Sequence, residues 1–167
     1  MVDSPPFILE DRIALGLLDE QGAAMIAYHR ASGSHPVLAG TRAVVATRSR
    51  FAEDRFAKAV ERGIDQYVIL GAGLDSFAYR SELAARVRVF EVDAPATQQL
   101  KREKLYAAGI DPIGEVTFVA LDLRDEPVVD RLAAVGFTTG DSAFVSWLGV
   151  SFYLDPESVA AALTGLA

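Results

Sequence analysis

Gly71 and Gly73 stand one residue apart in the stretch YVILGAGLDSFAYR, directly after a short apolar run and before a stretch of helical character. Glycine at both positions lets the backbone turn sharply and present its N–H groups to a ligand at the start of the next helix. Twenty residues beyond Gly73, Asp93 closes the run VFEVD. An acidic side chain at that distance, at the end of a strand, can accept hydrogen bonds from both hydroxyls of a ribose. Asp122, in ALDLRD, occupies the same relative place after the next strand-like run, where its carboxylate can accept from an adenine amino group while the Leu123 N–H donates to the ring. Plainer jobs are open to the same residues: a two-glycine turn with no ligand, a cap for the helix near Pro95 in the case of Asp93, and a turn start in the case of Asp122.

The nature of the ligand turns on one position. A dinucleotide fingerprint has the form G-x-G-x-x-G, and Ser76 stands where its third glycine belongs. A ligand with a ribose and an adenine but no pyrophosphate fits better, and S-adenosylmethionine is such a ligand. Its methionine carboxylate calls for a cation, and VVATRSRFAED supplies Arg48 and Arg50 upstream of the glycine turn, either able to pair with it bidentately. Either arginine can instead pair with Glu53 or Asp54 at helical spacing, a solvated contact of about a few tenths of a kcal/mol.

Such a site needs strands that end side by side. QYVIL, RVRVFEV, VTFVAL and SAFVSWLGV read as strands, the first and third as apolar runs buried on both faces. Helical stretches alternate with them over 75–85, 96–108 behind Pro95, 127–135, and from Pro156 onward. The alternation predicts an α/β fold, a Rossmann-like doubly wound parallel sheet of about four strands. An N-terminal helical cap is expected over 1–40, with two helices within 7–31 and a loop at SGSHPVLAG. The sheet domain is expected over 41–167, led by a helix from about Thr41 to Arg62 that stops at Gly63. SAFVSWLGV would lie at the edge of an incomplete sheet, and its apolar character calls for cover, either from a second chain in a homodimer or from the remainder of a longer domain.

Composition excludes several classes. A chain of 167 residues, 51% hydrophobic and 23% charged, matches one soluble globular domain. The absence of cysteine rules out disulfides, thiolate metal sites and a cysteine nucleophile. His29 and His35 have no acidic or cysteine partner at ligand spacing, so no metal site is expected. A net charge of −7 argues against a nucleic-acid partner. No run approaches the roughly 18 apolar residues of a membrane span, and MVDSPPFILEDR lacks the basic and apolar segments of a secretory signal. A cytoplasmic location without membrane contact is expected.

Together, VVATRSRFAEDRFAKAVERGIDQYVILGAGLDSFAYR, VFEVDAPATQQLKREKL, FVALDLRDE and SWLGVSFYLDPESV resemble the leucine carboxyl methyltransferase family, in particular its bacterial branch of S-adenosylmethionine-dependent methyltransferases common in actinobacteria. The resemblance spans about Thr41 to Leu163, and PFILEDRIALGLL is similar to that branch's N-terminal segment. It implies a fold of the class I methyltransferase type with S-adenosyl-L-methionine as cofactor. It further implies Arg48 on the methionine carboxylate, Gly71 and Gly73 beneath the methionine moiety, Asp93 on the ribose hydroxyls, and Asp122 with Leu123 around the adenine. Members also carry three further strands beyond the point where this chain ends. Many read Trp-Glu-Gly where this chain reads Trp147-Leu148-Gly149, so Leu148 replaces a glutamate that faces the cofactor and weaker binding is expected.

The expected activity is O-methyl transfer to a carboxylate or hydroxyl of a small molecule or peptide terminus. A carboxylate acceptor is already nucleophilic and needs only alignment. A hydroxyl acceptor needs a base, for which Tyr28, His29 and His35 are the available groups. Two other readings stay open: a non-catalytic remnant or cofactor-binding fragment, and an NAD-binding oxidoreductase, against which Ser76 counts.

Overall fold

The central strand, β1 (Gln66–Leu70), is buried at all five residues, as expected for a strand covered on both faces. In the computed structural model, which describes residues 5–124 and 127–166, it pairs in parallel with β2 (Arg88–Asp93) on one side and β4 (Phe144–Ser146) on the other. β3 (Glu115–Ala120) pairs in parallel with β2, giving the order β3-β2-β1-β4. The order reverses direction between β1 and β4, which is where ligands bind in open α/β sheets. The parallel, doubly wound α/β architecture is therefore the one the sequence predicts. VTFVAL, however, is an edge strand with only Val119 fully buried, and the strand buried on both faces beside β1 is β2. The apolar run alone does not distinguish the two positions, because its burial depends on which neighbour it pairs with. SAFVSWLGV gives only three residues of strand, at the opposite edge.

Alternate residues of β1 feed two cores. Tyr67 and Ile69 face Phe56, Phe77, Tyr79 and Val89, while Val68 and Leu70 face Phe90, Val119, Val128 and Leu132. In the first core Phe56 stacks on Tyr67 with ring centroids 4.2 Å apart, and Phe77 meets Tyr67 edge-on at 5.0 Å. Such pairs stabilise by about 1 kcal/mol beyond their buried area. The Tyr67 hydroxyl donates to Ser146 Oγ at 3.0 Å, which ties β1 to β4 where the ladder is shortest. The same burial pushes the Tyr67 phenol well above its ordinary range, so it stays a neutral donor.

The helices pack around this sheet. α1 (Ile13–Gly16) is a single turn, shorter than FILEDRIALGLLDE suggests, and α2 (Glu20–Ala31) starts at Asp19, whose side chain accepts from the Gly22 N–H at 2.9 Å. α3 (Pro36–Glu61) absorbs most of the expected loop, because Pro36 occupies the first helical turn, where proline lacks no needed donor. The stretch expected to be helical over 75–85 splits into α4 (Phe77–Arg80) and a 3₁₀ turn over Glu82–Arg86. The Ala78 carbonyl, which a continuous helix would give to its own next turn, accepts instead from the Ile113 N–H at 2.9 Å. α5 (Pro95–Ala108), α6 (Val128–Ala133) and α7 (Pro156–Leu166) follow the sequence pattern. Among the described residues no helix is long and apolar enough to cross a membrane.

Ser76 ties the N-terminal segment to the sheet. It is buried, and its hydroxyl donates to Asp11 Oδ2 at 2.5 Å while accepting from Arg80 Nε at 3.0 Å. Arg80 also grips both oxygens of Glu53 on α3. Asp11 in turn accepts from the Ala14 N–H through its other oxygen at 2.9 Å. The residue that replaces the third glycine is thus a fastening for the N-terminal segment. Ser76→Ala is expected to cost about 2 kcal/mol, since it leaves charged partners without their hydrogen bond. Urea unfolding checks this as a lowered midpoint at unchanged slope.

Candidate functional site

Three of the four strands, β1, β2 and β3, end at a candidate residue. At the end of β1, Gly71 has φ +64° and its N–H donates to the Val92 carbonyl at 2.8 Å. Gly73, φ +48°, donates its N–H to Asp93 Oδ2 at 2.5 Å, and the Ala94 N–H reaches Asp93 Oδ1 at 2.7 Å. Asp93 therefore tethers the glycine turn across the gap between β1 and β2. It does not cap α5, whose first turn has no side-chain cap bond. Each carboxylate oxygen keeps an acceptor site, so two ligand hydroxyls can still be bound.

Asp122 lies one strand further on. Its Oδ1 accepts from the Arg124 backbone N–H at 3.1 Å and from Arg124 Nε at 2.9 Å, while Oδ2 accepts from Arg124 Nη2 at 2.5 Å. These bonds hold its carboxyl well below the usual range, at about 2. The turn role foreseen for Asp122 is present, and a ligand amino group there would share the carboxylate with Arg124. Gly71, Asp93, Asp122 and Leu123 line one cavity of about 220 Å³. Ligand sites commonly measure about 300–1,000 Å³. The smaller volume has a visible cause: Val150, Tyr153 and Leu154 from the exit of β4 lie over it, and Val150 presses directly on Gly71. Neither Val150 nor Leu154 is marked by sequence spacing, since both act from the far edge of the sheet.

The two arginines separate cleanly. Arg50 Nε bonds Asp54 Oδ1 at 2.8 Å across one exposed helical turn, the plain contact expected of either residue. Glu53, the other carboxylate within reach, is held by Arg80. Arg48 makes no hydrogen bond or ion pair among the described residues, and its Nε is buried without a partner. Its guanidinium lies against Gly149, immediately before Val150. Arg48, Gly149, Val150 and Gly71 thus form a contact chain that leads from α3 to the cavity. A buried guanidinium nitrogen without an acceptor is costly unless an anion completes it. A ligand carboxylate is the group that this donor set fits.

The three groups named as bases are not gathered here. Tyr28 and His35 are exposed, and His29 borders a second, larger cavity under the N-terminal segment, where its Nδ1 lies 3.4 Å from Arg42 Nη1. No group of three metal-ligating side chains occurs among the described residues.

The family model of the leucine carboxyl methyltransferases matches residues 2–167. The chain belongs to that family. Among the relatives of this leucine carboxyl methyltransferase family member is the Bacillus subtilis protein named "Putative S-adenosyl-L-methionine-dependent methyltransferase YktD", 46% identical over 105 residues, which are 62% of this chain and 34% of the relative. A Mycolicibacterium paratuberculosis protein and one from Mycobacterium sp. strain JLS, both named as S-adenosyl-L-methionine-dependent methyltransferases of the same description, are 38% identical over 128 residues and 40% identical over 115. Those matches cover 75% and 68% of this chain, and 40% and 37% of the relatives. This family member therefore spans little more than a third of the length of the curated relatives it matches.

Proposed function

We propose that this chain binds S-adenosyl-L-methionine at the ends of its strands, and that the protein it represents transfers the methyl group to the carboxylate oxygen of a small molecule or peptide terminus. The observation that carries the reading is the buried Nε of Arg48, unpartnered among the described residues, with its guanidinium against Gly149, whose neighbour Val150 packs on the glycine turn. Arg48 would hold the methionine carboxylate, Asp93 the ribose hydroxyls, and Asp122 with Leu123 the adenine. When bound, the cofactor supplies an electrophilic methyl group on a sulfonium. The residues of this chain fix its two ends, so that rate is gained by alignment and effective concentration.

The larger cavity, about 610 Å³, supports an apolar acceptor. Phe7, Ile8, Leu9, Val45 and Ser49 border it, an apolar lining with few polar groups. His29 supports a carboxylate over a hydroxyl. At 3.4 Å from Arg42 Nη1, a group that can only donate, Nδ1 of His29 faces a cation rather than a carboxylate that would activate the ring as a base. A carboxylate acceptor needs no base.

The test is transfer of isotopically labelled methyl to matched panels of carboxylic acids and alcohols. Label released as methanol by mild alkali marks a methyl ester and is the expected result. Alkali-stable label marks an ether and reverses the choice of acceptor. Absence of any transfer, with cofactor binding intact, leaves the chain a binding module.

A further inference from the structure

We infer that Gly149 is a positioning residue for Arg48: the missing side chain at the exit of β4 is what lets the guanidinium lie against the backbone there, one residue from the valine that packs on Gly71. This rests on the cofactor reading above and adds to it the part that orients the arginine.

A Cβ built on Gly149 would stand 2.8 Å from Nη2, 2.9 Å from Nη1 and 3.2 Å from Cζ of Arg48. Three atoms of the guanidinium are thus packed on one stretch of backbone. Gly149 also has φ +74°, a conformation open to glycine and, at modest cost, to asparagine. The next residue completes the contact. Val150 packs on Gly71, where a Cβ would meet its Cγ1 at 2.9 Å, so the two-residue step Gly149-Val150 sets the distance between the arginine and the turn. Among the described residues no ion pair orients Arg48, since Glu53 and Asp54 are taken by Arg80 and Arg50. Packing against Gly149 is the contact left to do it.

The experiment separates crowding from backbone strain. Gly149→Asn retains access to positive φ but adds a Cβ against the guanidinium. Binding of S-adenosylhomocysteine, which carries the amino-acid carboxylate, is compared by calorimetry with binding of 5′-methylthioadenosine, which lacks it. Gly149→Asn is expected to weaken S-adenosylhomocysteine at least about tenfold, the scale of one lost charge-assisted hydrogen bond, and to leave methylthioadenosine within about twofold. In an Arg48→Ala background the same substitution is expected to add no further loss, because the crowded group is gone.

Equal losses for both ligands, unchanged affinity for S-adenosylhomocysteine, or additive effects of the two substitutions would each overturn the inference. If Gly149→Asn folds only in the Arg48→Ala background, by circular dichroism, the crowding is shown directly. Failure to fold in both backgrounds overturns it. A wild-type chain that binds neither ligand removes the cofactor reading itself, an outcome distinct from all of these.

Discussion

Lys101→Met is expected to destabilise the fold by about 3–5 kcal/mol at pH 8, the usual cost of breaking a buried ion pair from one side, and by distinctly less at pH 5. Lys101 Nζ sits 2.6 Å from Glu91 Oε2, and both side chains are 1% exposed. The ammonium also lies 5.3 Å from the centre of the Tyr79 ring, and Gln98 Nε2 donates to the Glu91 carbonyl at 3.2 Å. Glu91 Oε1 has no partner among the described residues. Burial pushes the Glu91 carboxyl up to about 7 from its ordinary 4.5, with Lys101 holding it lower than burial alone would. The folded carboxyl therefore binds its proton more tightly than the unfolded one. Its contribution to stability falls as pH rises from the unfolded value toward about 7 and is level above that. Without Lys101 the carboxyl titrates higher still, so the loss in the variant grows with pH. Urea unfolding of both proteins at the two pH values measures this. Equal losses at pH 5 and pH 8 would contradict the assignment.

Asp93→Ala is expected to have the largest effect on ligand binding. The carboxylate holds the Gly73 N–H and the Ala94 N–H, and in the proposed complex its remaining acceptor sites take the ribose hydroxyls. Losing two hydrogen bonds to a charged acceptor weakens binding about 100-fold or more. Asp93→Asn, which keeps one acceptor oxygen, is expected to fall between. Asp122→Ala should cost less than either, because Arg124 occupies both oxygens of that carboxylate.

Much of this site was legible in the sequence because it is local to strand ends. A two-glycine turn, an acidic residue twenty positions on and a second one after the next strand are fixed by the α/β repeat, and the sheet sets them side by side. What the sequence leaves hidden is contact at long range. Nothing in spacing relates Asp11 to Ser76, Glu53 to Arg80, or Arg48 to Gly149. Arg48 and Arg50 are equivalent as sequence, and they separate only when Arg80 takes Glu53 and leaves Arg50 with Asp54. The break after Arg80 is equally non-local, since the Ile113 N–H claims a carbonyl that helical propensity assigns to the helix. Gly149 has one signal that sequence reading passes over: a glycine three residues past the end of the fourth strand, the same distance as Gly73 past the first.

Calorimetric titration of the 167-residue chain with S-adenosylhomocysteine tests the central claim most directly. The account predicts saturable binding at one site per chain, lost in Arg48→Ala and Asp93→Ala and unchanged in Arg50→Ala. No binding heat and no ligand-induced rise in melting temperature with the wild-type chain, or a response to NAD in its place, would contradict it.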